Sequence, residues 1–311
     1  MRSPCPQHAL YLKSPGVLCR SPARLVSDII PRPHRPAQAA APGCPGSRAT
    51  LYSPQMPTPS PAERADPFAD LADVYQAMID WPRRLAHEQP FYRRLIDQLS
   101  AGSVLDVACG TGHHAAMFHS LGLRVEAADI SPAMIDRARR TFGQPDGLRW
   151  TVRPFDQPSD AGPFDLAICV GNSLALAADL PAVQRALAAM FASVRPGGAV
   201  VVHVLNLWAL PDGPCIWQKC LRTTIAGADV LVIKGVHRSG DRGFVELLIA
   251  EPAGKLLKTQ SAPFLGLRGE DLSAIAARHG CDNITLHGGY AGQPYEEARS
   301  TDLIMVAQRR T

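Results

Sequence analysis

The chain has 311 residues with 32 Lys or Arg and 28 Asp or Glu, a formal net charge of +4. Roughly the first 62 residues hold about 13 of the 28 prolines and about seven of the basic residues, against the single acid Asp28. Without this segment the net charge is about −2. The remainder therefore lacks the Lys/Arg surplus that a phosphate-binding face requires, and nucleic acid is excluded as the predicted partner.

The composition changes sharply near residue 65. Residues 1–65 are rich in Pro, Ala and Arg, which predicts a disordered extension, and residues 66–311 are predicted to form one folded domain. Two other interpretations of the extension stay open: an organelle transit peptide, or a true translation start at Met56. The eight cysteines lack zinc-ligand spacing, and no apolar run reaches the ~18 residues of a membrane span. We therefore expect reduced thiols, a cytoplasmic location and no membrane partner.

Strands and helices are expected to alternate through the first part of the domain. Helical spacing runs from Phe68 to Leu99, with Pro82 and Pro90 expected to divide it into short helices. Five strands are then predicted in "SVLDV", "LRVEAAD", "LRWTVRPFD", "FDLAICVGN" and "AVVVHVLN", with helices in "HAAMFHSLG", "SPAMIDRARRTFG" and "PAVQRALAAMFASV". This order predicts an α/β, Rossmann-like, doubly wound and mostly parallel sheet.

The alternation of strands and helices stops after Asn206. The segments "DVLVIKGVHR", "GFVELLIAEP" and "KLLKTQSAPF" follow one another without helices, which predicts a small antiparallel β insertion over residues 207–264. Its aromatic entry, "NLWALPDGPCIWQK", is expected to form a lid that excludes water, with ordinary packing of two tryptophans as the alternative. The helix "GEDLSAIAARHG" and the strands "NITLHGGY" and "TDLIMVAQRR" complete the domain.

The loops at the carboxyl ends of the parallel strands carry the candidate ligand site, because open α/β sheets bind ligands there. In "LDVACGTG", Gly110 and Gly112 allow a ligand to approach the backbone, and Asp106 precedes the turn. Asp129 ends the second strand, where a carboxylate accepts ribose hydroxyls.

The third strand offers partners for a nucleoside base. Phe155 is placed to stack on adenine, and Asp156 to bond its amino group. Each feature alone is common, since glycine turns and capping aspartates occur in most α/β proteins. "GTGHHA" also fits the looser dinucleotide fingerprint, so an NAD-dependent dehydrogenase is an alternative. The acid four residues before the first glycine and the antiparallel C-terminal part favour an adenosyl ligand instead.

The segments "VLDVACGTG", "AADISPAMIDRAR", "FDLAICVGNSLA" and "VRPGGAVVV" resemble, in this order, the motifs of class I S-adenosylmethionine-dependent methyltransferases. The glycine N-methyltransferase group is the most similar, and the resemblance covers Asp73 to Gln308. It implies a seven-stranded sheet with an antiparallel final strand, S-adenosylmethionine as cofactor and a small-molecule methyl acceptor.

The resemblance also implies roles for individual residues. Ala108 and Gly110 would line the methionine part, Val170 would lie along the cofactor, and Tyr75 and Arg84 would fold over it. The full set of implied cofactor-binding residues is Tyr75, Arg84, Asp106, Ala108, Gly110, Gly112, Asp129, Ile130, Met134, Phe155, Asp156 and Val170.

The acceptor is predicted to be an amine other than glycine. Glycine-specific relatives carry an arginine for the substrate carboxylate just before the asparagine that follows the fifth strand, whereas this chain has Leu205 there. Candidate catalytic residues are Asn172, which would face the amine, with His203, Asn206 and Tyr290. An amine needs only to arrive unprotonated, whereas a hydroxyl needs a base. An O-methyltransferase or an adenosyl-binding protein without turnover are the alternatives, and the oligomeric state stays open.

Overall fold

The structure is a computed structural model that describes residues 72–225 and 227–311, apart from the side chains of Ala72, Asp73 and Tyr75. The predicted extension over residues 1–65 and the predicted helix start at Phe68 lie outside the described residues. Within the described ranges, no helix has the length and apolarity needed to cross a membrane.

A seven-stranded sheet forms the centre of the domain, in the order β10-β11-β5-β4-β1-β2-β3. Strands β1 to β5 are mutually parallel, and β11 runs antiparallel to both β5 and β10. This confirms the predicted Rossmann-like fold. The strands are β1 Ser103–Val107, β2 Arg124–Asp129, β3 Leu148–Val152, β4 Phe164–Cys169, β5 Val194–Leu205, β10 Cys281–His287 and β11 Asp302–Arg309. The helices are α1 Ala72–Met78, α2 Trp81–Leu99, α3 His113–Ser120, α4 Pro132–Phe142, α5 Leu180–Ala192 and α6 Gly269–Arg278.

Local sequence explains how the crossovers place the loops. Ser131 accepts a hydrogen bond from the Met134 backbone N–H at 3.1 Å and Pro132 opens α4, as a cap and a first-turn proline do. Strands β1 and β4 are apolar because helices cover both faces of a parallel sheet. Two large apolar clusters, one on each face, hold the carboxyl ends of β1, β4 and β5 in one rigid row.

One helix differs from the prediction. Helix α2 runs unbroken through Pro90, although proline was expected to divide it; Pro82 does open the helix as expected. Beyond Pro90, the helix buries Phe91, Tyr92 and Leu95 in the core. Their packing offsets the cost of a proline inside a helix, which is about 3 kcal/mol because proline cannot donate the backbone hydrogen bond.

The insertion contains four antiparallel strands rather than the three predicted, in the order β6-β7-β8-β9. They are β6 Ile216–Ile225, β7 Ala228–Ser239, β8 Arg242–Ala250 and β9 Leu256–Leu265. The additional strand, β6, occupies part of the predicted lid and has no buried residue, so its sequence lacked the apolar alternation that identifies a strand. Val74 and Met78 of α1 pack with Val230, Val232 and Leu247 on one face of this sheet, here called the inner face.

Candidate active site

The loop between β1 and α3 gives its two glycines different roles. Gly110 has φ +56°, and a Cβ placed there would meet no atom within 4 Å, so open space lies beside it. Gly112 has φ +83°, and a Cβ there would lie 2.5 Å from the Trp150 ring. Ala108 also has a positive φ of 56°, a strained conformation for a residue with a side chain. Gly110 therefore leaves room for a ligand, whereas Gly112 lets the loop pack on Trp150.

Asp129 joins the loops that follow β1 and β2. One carboxylate oxygen accepts a hydrogen bond from the Gly110 N–H at 2.8 Å and the other from the Ser131 N–H at 2.9 Å. Asp129 therefore fixes the loop after β1 against the loop after β2. Next to it, Ile130 is 60% exposed, while Met134 is buried at the start of α4.

Asp106 is a buried acid with an unsatisfied oxygen. It is 1% exposed, and its Oδ2 has no hydrogen-bond partner among the described residues. Burial, together with the negative charge of Asp129, raises the pKa of Asp106 to about 8, although the Ala115 backbone N–H acts against this. A cationic group beside the loop, such as the α-ammonium of a methionine moiety, would satisfy this oxygen.

The loops after β3 and β4 carry the remaining predicted cofactor-binding residues. Phe155 packs against the same apolar cluster as Ala108, which places both next to one surface of the core. The Asp156 side chain is 34% exposed, with its carboxylate 3.7 Å from the Arg185 Nε. Val170 is buried at the end of β4. The Asp156 carboxylate is thus accessible at the expected end of the site.

Helix α1 and the start of α2 cover the glycine loop. Gln76 accepts hydrogen bonds at its Oε1 from the Thr111 hydroxyl at 3.2 Å and from the His113 ring at 3.0 Å. The Trp81 ring stacks on His113 with centroids 4.1 Å apart. Tyr75 was the predicted covering residue, and its side chain lies outside the described part of the structure. Gln76, its neighbour, escaped sequence reasoning because a single glutamine carries no pattern.

Arg84 is held in a buried charge cluster. Its Nε donates to Glu88 at 2.7 Å, and the other Glu88 oxygen lies 2.6 Å from the His114 Nε2. Burial favours a higher pKa for Glu88, but the hydrogen bonds and charges of His114 and Arg84 prevail and lower it to about 2. Burial lowers the pKa of His114, so the imidazole is neutral and donates through Nε2. The three side chains fix α2 against α3.

His203 positions the loop that carries Asn172. Its Nδ1 accepts a hydrogen bond from the Gly171 N–H at 3.2 Å and is therefore unprotonated, so Nε2 carries the proton and donates to Asp302 at 3.1 Å. Asn172 has φ +73°, and its Oδ1 accepts from the Leu205 N–H at 2.9 Å. Its Nδ2 has no partner among the described residues. Both His203 nitrogens are thus occupied, while Asn172 keeps free donors.

Tyr290 lies beside His203, with ring centroids 5.3 Å apart, and its hydroxyl is 3.3 Å from that of Tyr92. Burial raises the pKa of Tyr290 far above its usual value, so the phenol stays neutral.

Asn206 occupies a separate, fully hydrogen-bonded position. Its Nδ2 donates to the backbone oxygens of Glu297 and Ser300, each at 2.7 Å, and its Oδ1 accepts from the Trp208 N–H and the Tyr295 hydroxyl. The structure therefore brings His203, Asn172 and Tyr290 together, and places Asn206 as a link between the insertion and the segment before β11.

Two surface cavities, of about 360 and 310 Å³, lie elsewhere, one beside Phe91 and Val306 and the other beside Glu126 and Arg149. Neither is lined by Gly110, Asp129 or Asp156. The loop of Gly110 instead contacts α1 and the start of α2, through Gln76 and Trp81.

Residues 104–198 match a family model described as a methyltransferase domain. Over these residues the chain is therefore similar to methyltransferase domains. The match includes the loops with Gly110, Asp129, Asp156 and Asn172, whereas His203 and Tyr290 lie beyond it.

Curated relatives of this methyltransferase domain include a glycine/sarcosine N-methyltransferase of Parasynechococcus marenigrum (strain WH8102), 33% identical over 166 residues that cover 52% of this chain and 59% of the relative. The glycine N-methyltransferase of Homo sapiens is 31% identical over 193 residues, covering 54% of this chain and 65% of the relative. The chain therefore spans less than two thirds of the length of these relatives.

Solved structures share the fold at lower identity. The sugar N-methyltransferase from Streptoalloteichus sp ATCC 53650 is 24% identical with a TM-score of 0.61, covering 87% of this chain and 100% of that one. An amino pentose methyltransferase from Micromonospora echinaspora, solved with bound S-adenosylmethionine, is 24% identical with a TM-score of 0.59, covering 76% of this chain and 94% of that one.

Proposed function

We propose that this chain is an S-adenosylmethionine-dependent methyltransferase that methylates an amine nitrogen of a small molecule. The observation that carries the proposal is the junction of Gly110 and Asp129, at the ends of β1 and β2 and beside the unsatisfied Asp106. The N-methyltransferases among the relatives, and the sugar N-methyltransferase among the solved structures, support the same chemistry.

The residues present suit the cofactor, which supplies an electrophilic methyl carbon on a sulfonium when bound. Asp106 would balance the ammonium of the methionine part, beside the Ala108 and Gly110 backbone. Asp129 would accept the ribose hydroxyls. Phe155 and Asp156 would take the adenine, with the remaining contacts from Ile130, Met134 and Val170.

An amine suits the acceptor side better than a hydroxyl. A hydroxyl acceptor needs a base, and both His203 nitrogens are already bonded to Gly171 and Asp302. The Tyr290 phenol stays neutral and cannot act as a base near neutral pH. The chain then only has to orient the acceptor, and such positioning lowers the activation barrier by about 7 to 11 kcal/mol in ideal cases. Asn172 would supply it through its free Nδ2.

We also propose a cytoplasmic location and a class of acceptor. The described cysteines, Cys109, Cys169, Cys215, Cys220 and Cys281, are all free thiols, which suits a reducing compartment such as the cytoplasm. We propose a small-molecule acceptor rather than nucleic acid, because the part of the chain after the basic leader has no Lys/Arg surplus.

Ligand-dependent thermal stability tests the proposal. A ligand at about 100 times its Kd adds about 2.7 kcal/mol to the free energy of unfolding, so S-adenosylmethionine and S-adenosylhomocysteine should raise the Tm while NAD does not. Asp129→Ala should abolish this rise, and Asp136→Ala, which alters an exposed carboxylate in α4, should keep it.

Because Asp129→Ala also removes two loop hydrogen bonds, Asp129→Asn and a urea titration separate lost binding from lost stability. An unchanged S-adenosylhomocysteine response in a folded Asp129→Ala variant would refute the ribose assignment. A response to NAD alone would favour the dehydrogenase. Labelled methyl transfer to a panel of amines and phenols then decides between nitrogen and oxygen acceptors.

A further inference from the structure

A lysine lies among apolar side chains on the inner face of the insertion. Side chains two apart on a strand share a face, so Lys234 of β7 points to the same side as Val232 and Val236, each 1% exposed. Leu247 of β8, directly opposite Lys234 and sharing its face, is also buried. Among the described residues, Lys234 has no hydrogen bond or ion pair. Lys234 itself is half-buried, and a lysine withdrawn from water usually has such a partner.

A second lysine lies directly across the sheet. Lys219 of β6 pairs with Lys234 in the strand register, so the two side chains share the inner face. The Lys219 ammonium donates a hydrogen bond to the Met78 carbonyl at the end of α1. Like charges directly opposite each other destabilise a sheet, so this arrangement needs a compensating anion.

The acids nearby are already engaged. Glu88 is bonded to Arg84 and His114. Asp80, which caps α2 by accepting from the Arg83 N–H, is the acid that attracts Lys219. Lys234 has Lys219 and Arg84 as its charged neighbours, both positive. Within the part of the chain that the structure describes, Lys234 is therefore the cation of this junction without an acid beside it.

The junction lies next to the cover of the site. Arg84 interacts electrostatically with Lys219 and Lys234 and also with Asp106 and His113. The lysine pair thus faces α1 and the first turn of α2, which lie over the loop of Gly110. Leu205, at the end of β5, offers no charge for an anionic substrate group from the opposite side.

We propose that Lys234, with Lys219 beside it, binds an anionic group of the methyl acceptor, either a carboxylate or a phosphate. The inference rests on the proposed function, since it names the class of its substrate. Removing an ammonium from water costs several kcal/mol, and an oxyanion that accepts charge-assisted hydrogen bonds offsets this cost. Burial and the neighbouring positive charges lower the pKa of Lys234, and a bound anion would act against both effects.

Anion titrations of the full chain test the inference, with acetate and inorganic phosphate as probes and ionic strength held constant with sodium chloride. The apparent Kd of each anion is measured from the Tm, with and without saturating S-adenosylhomocysteine. We expect saturable binding of at least one anion, weakened at least about tenfold in Lys234→Met and at least about threefold in Lys219→Met. Lys258→Met, which alters an exposed lysine of β9 in the same sheet, is the matched control and should bind as the original chain does.

Lys234→Met keeps the side-chain volume and replaces a half-buried charge with an apolar group. Such a replacement is often neutral or stabilising, so the variant is expected to fold. Lys234→Arg should restore binding to within about threefold. Binding of acetate but not phosphate identifies a carboxylate, and the reverse identifies a phosphate.

Failure of the inference is distinct from failure of the proposed function. If S-adenosylhomocysteine raises the Tm but neither anion binds, or if Lys234→Met binds as tightly as the original chain, the anion site is refuted and the methyltransferase stands. If the anions bind through Lys234 but no adenosyl ligand does, the methyltransferase proposal is refuted instead.

Discussion

The two sheets of the chain bury their side chains in different ways. In the seven-stranded sheet, β1 is buried at every position and β4 at all but one. In the four-stranded sheet, β6 has no buried residue and β9 has only Phe264. Parallel strands are covered on both faces, whereas an antiparallel sheet can leave one face to solvent. The first sheet can therefore hold the loops at the ends of its central strands from both faces, whereas the buried residues of the second sheet lie mainly on its central strands β7 and β8.

Each region also contains one ionisable side chain, withdrawn from solvent, whose charged form has no opposite charge hydrogen-bonded to it among the described residues: Asp106 below the glycine loop and Lys234 on the inner face of the insertion. Such charges destabilise a free protein and are expected where a ligand supplies the opposite charge. These two groups agree with the proposals that the cofactor binds at the seven-stranded sheet and that the acceptor's anionic group binds at the four-stranded one.

The largest expected effect concerns the rigid sheet. Gly112→Ala should lower the free energy of unfolding by about 3 kcal/mol, because the new Cβ would meet Trp150 and the φ of +83° disfavours alanine. Gly110→Ala should cost only about 1 kcal/mol, since its Cβ meets open space. Urea denaturation measures both, and equal losses would contradict the packing role of Gly112.

A pair of valine truncations compares the two sheets directly. Val201→Ala in β5 should cost about 2 to 3 kcal/mol, and Val232→Ala in β7 about 1 to 1.5 kcal/mol, because the small cluster around Val232 relaxes more easily. Native-state hydrogen exchange should likewise show β6 to β9 opening at lower free energy than β1, β4 and β5. Equal hydrogen-exchange protection in both sheets would show that the two sheets do not differ in local stability.

The smallest expected effect is a pH dependence. The pKa of Asp106 is about 8 in the folded chain against 3.8 for the ordinary group, so between these values the folded state binds more protons and stability falls as pH rises. Asp106→Asn should match the original chain near pH 4 and exceed it by about 1 kcal/mol or more near pH 8. Unfolding curves across this range, with Asp136→Asn as the exposed control, test this; parallel profiles would show that Asp106 is not perturbed.

Several features of the site followed from local chemistry alone. The alternation of apolar strands and capped helices predicted the five parallel strands and the helices between them, because hydrophobic periodicity and capping depend on neighbours in sequence. The same logic put Gly110 and Asp129 at adjacent strand ends, where the structure joins them by a hydrogen bond. Since parallel strands present their carboxyl ends at one edge, sequence order was enough.

Other features were decided only by the tertiary structure, because they depend on contacts between residues that are distant in sequence. The course of α2 through Pro90 depends on packing that outweighs a local penalty, and β6 is a strand because β7 supplies its hydrogen bonds. The bonds that occupy His203, and the placement of Lys219 opposite Lys234, come from pairings that no sequence pattern records. Strand register and side-chain pairing across the fold are set by the global arrangement of surfaces. The sequence therefore predicted which loops carry the candidate site, and the fold decided which charges lie beside them.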